Sequence, residues 1–424
     1  MNNPPTPVHT SPTHAPMTQF KQRDGQLLIG NFTLRQLESR VGQTPFYAYD
    51  RQLIKQRIEI FRQHMPEDLL LHYAIKANPM PALVDFIQPQ VDGMDVASLG
   101  ELNIALNSGM APEQISFAGP GKNELELQAA IACGITLHCE SATELERLKR
   151  ISDQLGIKAK VALRINPDFT LKNSGMKMGG GAQPFGIDAE VAPQLLQQLD
   201  RYHLDFVGFH IYSGSQNLNA DAIMKMQNET FQLSIKLMDL APQVPQIINI
   251  GGGLGIPYFP GEKRLNLADI GENLHQQMDY LHLRYPHVKV VMELGRFLVA
   301  EAGIYVCKVL DIKTSRGEKF LITNGGLHHH LAASGNFGQI IRKNYPVAID
   351  TKIGTQHEMP IETQKEVVSV VGPLCTPLDI LSAKMSLPVA NIGDLVVIYQ
   401  SGAYGLSASP QHFLSHPAAA EILV

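Results

Sequence analysis

From residue 70 onward, short apolar runs recur along the chain, each followed by a longer stretch whose apolar residues have helical spacing. Eight runs can be counted, at residues 70–75, 93–97, 115–118, 136–139, 161–165, 206–211, 247–250 and 288–294. The segments between them include 111–114, 125–132, 142–155, 192–199 and 227–240. Eight strands alternating with helices imply an α/β fold, a (β/α)8 TIM-type barrel, because right-handed crossovers close a parallel sheet of that size.

The residues at or just after the strand ends are Lys76, Asp95, Gly119, Glu140, Asn166, Tyr212, the triplet Gly251-Gly252-Gly253, and Glu293. Barrel enzymes place their chemistry at the C-terminal ends of the strands, so this succession of polar and glycine residues marks one active face. After residue 300 the pattern changes. Residues 306–314, 319–323, 366–371 and 394–399 read as strands bounded by Gly, Pro and Asn without long helices between them. The expected organisation is a disordered tail over 1–24, a segment over 25–44 that joins a β-domain, a barrel over 45–300, and a C-terminal β-rich domain over 301–424. Within 25–44, Gln26–Ile29 is the stretch expected to pair with that domain.

A chain of 424 residues, 44% hydrophobic and 18% charged, can bury a large core. Its net charge of -5 offers no basic surface for nucleic acid or an anionic membrane. Four cysteines, Cys133, Cys139, Cys307 and Cys375, fit neither a zinc spacing nor a disulfide framework, and reduced thiols in a cytoplasmic protein are expected. The first 20 or so residues lack the apolar core of a signal peptide, and no apolar run reaches the length of a membrane span.

Tyr73-Ala74-Ile75-Lys76-Ala77-Asn78-Pro79 puts a lysine at the end of the first strand, where the chain turns into the barrel mouth. Partial desolvation there would lower its pKa and free the amine to form a Schiff base. Gly251-Gly252-Gly253 follows the seventh strand, a place where backbone N–H groups converge on phosphate in barrels; a dinucleotide fingerprint is the rival reading. Glu293, ending the eighth strand, could hydrogen-bond a pyridinium nitrogen or form a buried ion pair with Arg296. His328-His329-His330 cannot all face one ion and reads as a polar loop, with no metal. Cys375, after Gly372-Pro373, is either an inert core thiol or a loop cysteine with a catalytic role.

Together these residues resemble the alanine-racemase-like, fold type III pyridoxal 5'-phosphate (PLP) enzymes, specifically the diaminopimelate/ornithine/arginine decarboxylase group. The similarity runs from about Thr44 to Ser409. Tyr73–Asn78 looks like the cofactor-lysine motif of that group, and Asp92-Gly93-Met94-Asp95-Val96-Ala97-Ser98 looks like its second-strand motif. Gly214-Ser215-Gln216 and Gly251-Gly252-Gly253 resemble its phosphate turns. Glu293, Gly295 and Arg296 match its Glu-Pro-Gly-Arg, Cys375 and Asp379 its Cys-Glu-Ser-Gly-Asp, and Gly402-Ala403-Tyr404 its Gly-Ala-Tyr. More narrowly, the run from His328 to Gly338 and the ending from His416 to Val424 look like the pyridoxal-dependent decarboxylases associated with exosortase A systems. The same region is similar to decarboxylases of a glutamyl group on an acyl carrier protein.

The resemblance implies an amino-acid decarboxylase, a PLP-dependent carboxy-lyase, with Lys76 holding the cofactor and Cys375 donating the proton from a partner subunit. A homodimer with shared active sites follows from that arrangement. Asp95, Tyr212, Ser215, Gly251, Gly252, Gly253, Glu293, Gly295, Arg296 and Tyr404 would contact the cofactor. Arg296, Thr376, Asp379 and Tyr404 would contact the substrate, an amino acid that is free or linked to a carrier protein. Tyr212 stands where the group usually has a stacking histidine, and Thr376 replaces the acid that meets a distal amino group. The alternatives are a true meso-diaminopimelate decarboxylase, an amino-acid racemase, and a non-catalytic partner protein of the same fold.

Overall fold

The computed structural model describes residues 13–23, 25–169, 176–177, 179–339, 341–350 and 364–424. Eight parallel strands form a closed barrel in chain order: β1 (Leu70–Ala74), β2 (Gly93–Val96), β3 (Ile115–Phe117), β4 (Thr136–Cys139), β5 (Lys160–Asn166), β6 (Asp205–Ile211), β7 (Ile247–Asn249) and β8 (Lys289–Leu294). β8 closes on β1 with Val291 opposite Leu70, and β4 meets β5 with Thr136 opposite Lys160. All strands run the same way, so their C-terminal ends share one rim.

The crossover helices form where caps and apolar spacing agree. In Ala142–Leu155 the Ser141 hydroxyl accepts the Glu144 amide at 3.1 Å, and Gly156 ends the helix in the left-handed region at φ 67°. Leu145, Leu148 and Ile151 recur at helical spacing and are fully buried against the barrel. Each such side chain contributes about 1.5–3 kcal/mol on leaving water. Ala220–Met238 and Leu267–Arg284 start in the same way, from Asn219 and Asn266. Among the described residues no helix is long and apolar enough to cross a membrane.

The second sheet has eight strands and is organised by Gly303–Ser315, which is long enough to serve three partners. Its first half pairs with Phe46–Tyr49 and with Leu395–Ile398, and its second half with Glu318–Thr323. Lys365–Val371 and Ile380–Pro388 extend it on one side and Val347–Asp350 on the other. The C-terminal strand Ala420–Leu423 lies parallel to Phe46–Tyr49.

Three features depart from the sequence expectations. Gln26–Ile29 does not pair with this sheet. It pairs instead with Gln22–Arg23 and Phe32–Thr33, and its Leu27 and Ile29 side chains pack against the sheet. The strand that does pair is Phe46–Tyr49, wholly buried and apolar, which the sequence reading assigned to the barrel. The expected tail divides. Residues 1–12 and 24 lie outside the described residues, whereas 13–23 pack on the body: Phe20 is buried, His14 reaches the Asn344 carbonyl at 2.8 Å, and Gly261 donates to the Thr13 carbonyl.

Candidate active site

Lys76 lies in the single 3-10 turn Ile75–Ala77 that follows β1. Tyr73 donates to the Asn78 carbonyl at 2.9 Å, the Asn78 amide side chain donates to the Gly402 carbonyl at 3.0 Å, and Tyr404 N–H donates to the Ala77 carbonyl at 2.7 Å. The turn is thereby pinned to the loop carrying Gly402-Ala403-Tyr404. The Lys76 amine stands 5.4 Å from the centre of the Tyr212 ring. The expected depressed pKa is not found. Burial alone would lower it, but the Tyr404 and Tyr212 hydroxyls and the Glu293 carboxylate outweigh burial and hold it above the ordinary lysine value.

Two cavities meet at this lysine. One of about 350 Å3 is lined by Lys76, Asp95, residues 118–122, Arg164, His210 and Glu293. A narrower one of about 30 Å3 is lined by Lys76, Tyr212, Ser215, Gly253, Glu293, Gly295, Arg296 and Tyr404. The glycines are required by close approach. A Cβ on Gly252 would sit 2.0 Å from the Glu293 carbonyl oxygen, and Gly253, at φ 99°, lies against the Gly214 carbonyl. The buried Ser215 hydroxyl has no hydrogen-bond partner among the described residues. Arg296 donates to the Tyr258 hydroxyl at 3.0 Å and stacks on Tyr404 at 4.5 Å. A glycine cradle, a spare hydroxyl and a buried guanidinium form an anion-binding end, and the Tyr212 face suits a flat ring. The residues present fit pyridoxal phosphate.

Glu293 and Arg296 do not form the ion pair that the sequence left open. The Glu293 carboxylate instead takes the Asn249 amide at 3.3 Å and lies 3.5 Å from His210 Nε2. Burial would raise its pKa, but His210 and Lys76 outweigh burial and hold it well below the usual carboxylate range. Asp95, on β2, takes the Ser116 hydroxyl and faces His72 Nδ1 at 3.5 Å, with its second oxygen unpartnered among the described residues. Glu140 is a hub at the rim. It accepts from Arg164 at 2.8 Å, from Gly119 N–H at 2.6 Å and from Gly186 N–H at 3.0 Å.

Cys375 is exposed and lines neither cavity in the single chain. Thr376 accepts the Leu378 amide at 3.3 Å, which closes a turn. Asp379, expected to contact substrate, is turned inward: its oxygens accept Leu327 N–H at 2.6 Å and Leu374 N–H at 2.8 Å. The carboxylate is committed to holding the cysteine loop. His328-His329-His330 is not a polar surface loop, because all three rings are buried. His329 meets the Pro417 carbonyl, His330 meets Ser401, and His328 stacks on His329 and His416. Sequence reasoning missed His138, Arg164, His210 and Tyr258. A polar residue inside an otherwise apolar barrel strand was the available signal for the first three; nothing local singles out Tyr258.

The family model described as pyridoxal-dependent decarboxylase, pyridoxal binding domain, matches residues 51–300. The L-glutamyl-[BtrI acyl-carrier protein] decarboxylase of Niallia circulans is 38% identical over 387 residues, covering 90% of this chain and 89% of that relative. The diaminopimelate decarboxylase of Aquifex aeolicus is 32% identical over 415 residues, covering 96% and 92%. Among solved structures, the Helicobacter pylori diaminopimelate decarboxylase complexed with L-lysine superposes with a TM-score of 0.79 at 28% identity, covering 90% of this chain and 92% of that one.

Proposed function

The chain belongs to the pyridoxal-dependent decarboxylases and is an amino-acid decarboxylase; we propose that its substrate is an amino acid whose far end carries no free cation, such as an aminoacyl group held on a carrier protein. The observation that carries this reading is the neutral Thr376 beside Cys375, together with the engagement of Asp379 by backbone N–H groups. Diaminopimelate, lysine, ornithine and arginine bring a distal cation that must be paired once it leaves water. Thr376 is neutral, and both Asp379 oxygens are taken by backbone N–H groups. The histidine triplet is buried against other residues. The relative named for a carrier-linked glutamyl group supports the masked class.

Pyridoxal phosphate, when bound, supplies an electrophilic carbon for amines and a cationic ring that accepts the electron pair left as CO2 departs. Lys76 provides the anchoring amine. Ser215, the 251–253 amides, Gly295, Arg296 and Tyr404 grip the phosphate end. Tyr212, whose hydroxyl burial pushes up to about 12, offers a neutral ring for stacking. Glu293 keeps an ionised oxygen for the ring nitrogen. Cys375 delivers the proton to Cα from a second copy of the chain, a role supported by its exposure.

A true diaminopimelate decarboxylase is the second reading, favoured by the likeness to the Aquifex enzyme. Kinetics separate the two. Losing the acidic partner lowers turnover of a dicationic substrate by about 10²-fold or more. The masked reading expects faster CO2 release from a glutamyl carrier-protein thioester than from free amino acids. A kcat/KM for meso-diaminopimelate of about 10⁴ M⁻¹s⁻¹ or above overturns it. Release of CO2 also excludes a racemase and a silent partner.

A further inference from the structure

Behind Glu293 lie two histidines that the reaction has not yet used. His210, on β6, is 1% exposed, and its Nε2 lies 3.5 Å from Glu293 Oε2. Neither of its ring nitrogens has a hydrogen-bond partner among the described residues. His138, on β4, lies against it with ring centres 4.3 Å apart and an interplanar angle of 36°. A buried imidazole without partners is costly, and a phenylalanine would fill the space at less expense. The arrangement gains only if a ring N–H serves the carboxylate.

Glu293 needs such a donor for a specific reason. Its Oε2 receives one long hydrogen bond from Asn249, and burial favours the neutral acid. The lysine that faces it is Lys76, from the turn after β1; Arg164 from β5 lines the same cavity and is tied to Glu140. Lys76 gives up its positive charge when its amine acts as a nucleophile. A carboxylate relying on Lys76 would then tend to take a proton and lose its hold on the ring nitrogen.

We infer that His210 is a positioning residue for Glu293: its Nε2–H donates to Oε2, keeps the carboxylate ionised after Lys76 is deprotonated, and leaves Oε1 for the ring nitrogen. His138 packs behind, tilted against it, and fixes the direction of the imidazole. This rests on Glu293 facing the ring nitrogen, and the experiment separates the two claims.

Solid-state 15N NMR of holoenzyme carrying pyridine-15N-labelled cofactor reports whether the ring nitrogen is protonated. Wild-type protein and His210→Gln, which keeps an N–H donor, should both hold the proton at pH 8. His210→Phe, and His210→Met as a second donor-less variant, should lower the protonated-to-neutral ratio about tenfold or more, a shift of about one pH unit. Glu293→Gln should lower it at least as far. A His210→Phe or His210→Met protein that stays protonated while Glu293→Gln does not overturns the role of His210. An unchanged spectrum in Glu293→Gln shows instead that the reading of Glu293 was at fault.

Discussion

Gly252 shows how narrowly single residues define this site. Its missing Cβ is the space through which the loop after β7 passes the Glu293 carbonyl. Gly252→Ala must move either that loop or the end of β8, and overpacking of this kind costs about 1–3 kcal/mol. Because the strain falls on the phosphate cradle, cofactor affinity should drop by about 10–10²-fold while the barrel stays folded. Titration of apoprotein with PLP, alongside circular dichroism, measures both; an unchanged Kd would show that the cradle does not hold the phosphate. Lys76 and Glu293 were legible at this scale because each ends an apolar strand with a charge. His210 and Arg164 were not, because inward or outward direction in a barrel strand is set by register with its neighbours.

At the scale of elements, the turn holding His328-His329-His330 joins the sheet to the cysteine loop. Gly326 packs on the Asp379 carboxylate, and Tyr47 donates to the His329 carbonyl at 2.7 Å. Burial depresses the pKa of His330 to about 3, and burial together with the neighbouring His329 and His416 does the same to His328. An unfolded histidine titrates near 6.5, so below that pH the unfolded chain binds protons that the folded chain refuses. Stability should therefore fall as pH drops from about 6.5 toward 3, by about 1.4 kcal/mol per pH unit for each such histidine. His330→Gln should flatten this slope even if it costs stability at pH 7. Denaturant midpoints at pH 7 and pH 5 test it; equal slopes in variant and wild type would refute the assignment. The buried placement was not legible locally, because three polar residues among glycines read as a solvated loop. It arises from the C-terminal segment, whose Pro417 and His416 cover the turn.

At the scale of the whole molecule, Lys76 sits at the barrel mouth while Cys375 stands exposed on the sheet domain. One chain does not unite them. If a second copy brings its cysteine loop to the mouth, inactive Lys76→Ala and Cys375→Ala proteins should recover activity on mixing. Random exchange makes half the dimers mixed, each with one intact site, so about a quarter of wild-type activity is expected. Absence of recovery, with subunit exchange confirmed by mass spectrometry of differently tagged chains, would remove the shared site.

The alternation of eight apolar runs with helical stretches determined the barrel, because parallel strands of that length have few other ways to close. The polar or glycine residue at each strand end marked the expected active rim, since chain direction alone puts those ends together. Tertiary structure decided the rest. Phe46–Tyr49 joined the sheet because a long strand, Gly303–Ser315, offered it a ladder from more than 250 residues away. Asp379 became a loop clamp because the Leu327 and Leu374 amides converge on it. Arg296 turned to Tyr258 and Tyr404, and Glu293 turned to Asn249 and His210. Local sequence names a charged group; only the folded chain selects its partner, because the competing partners lie on different strands.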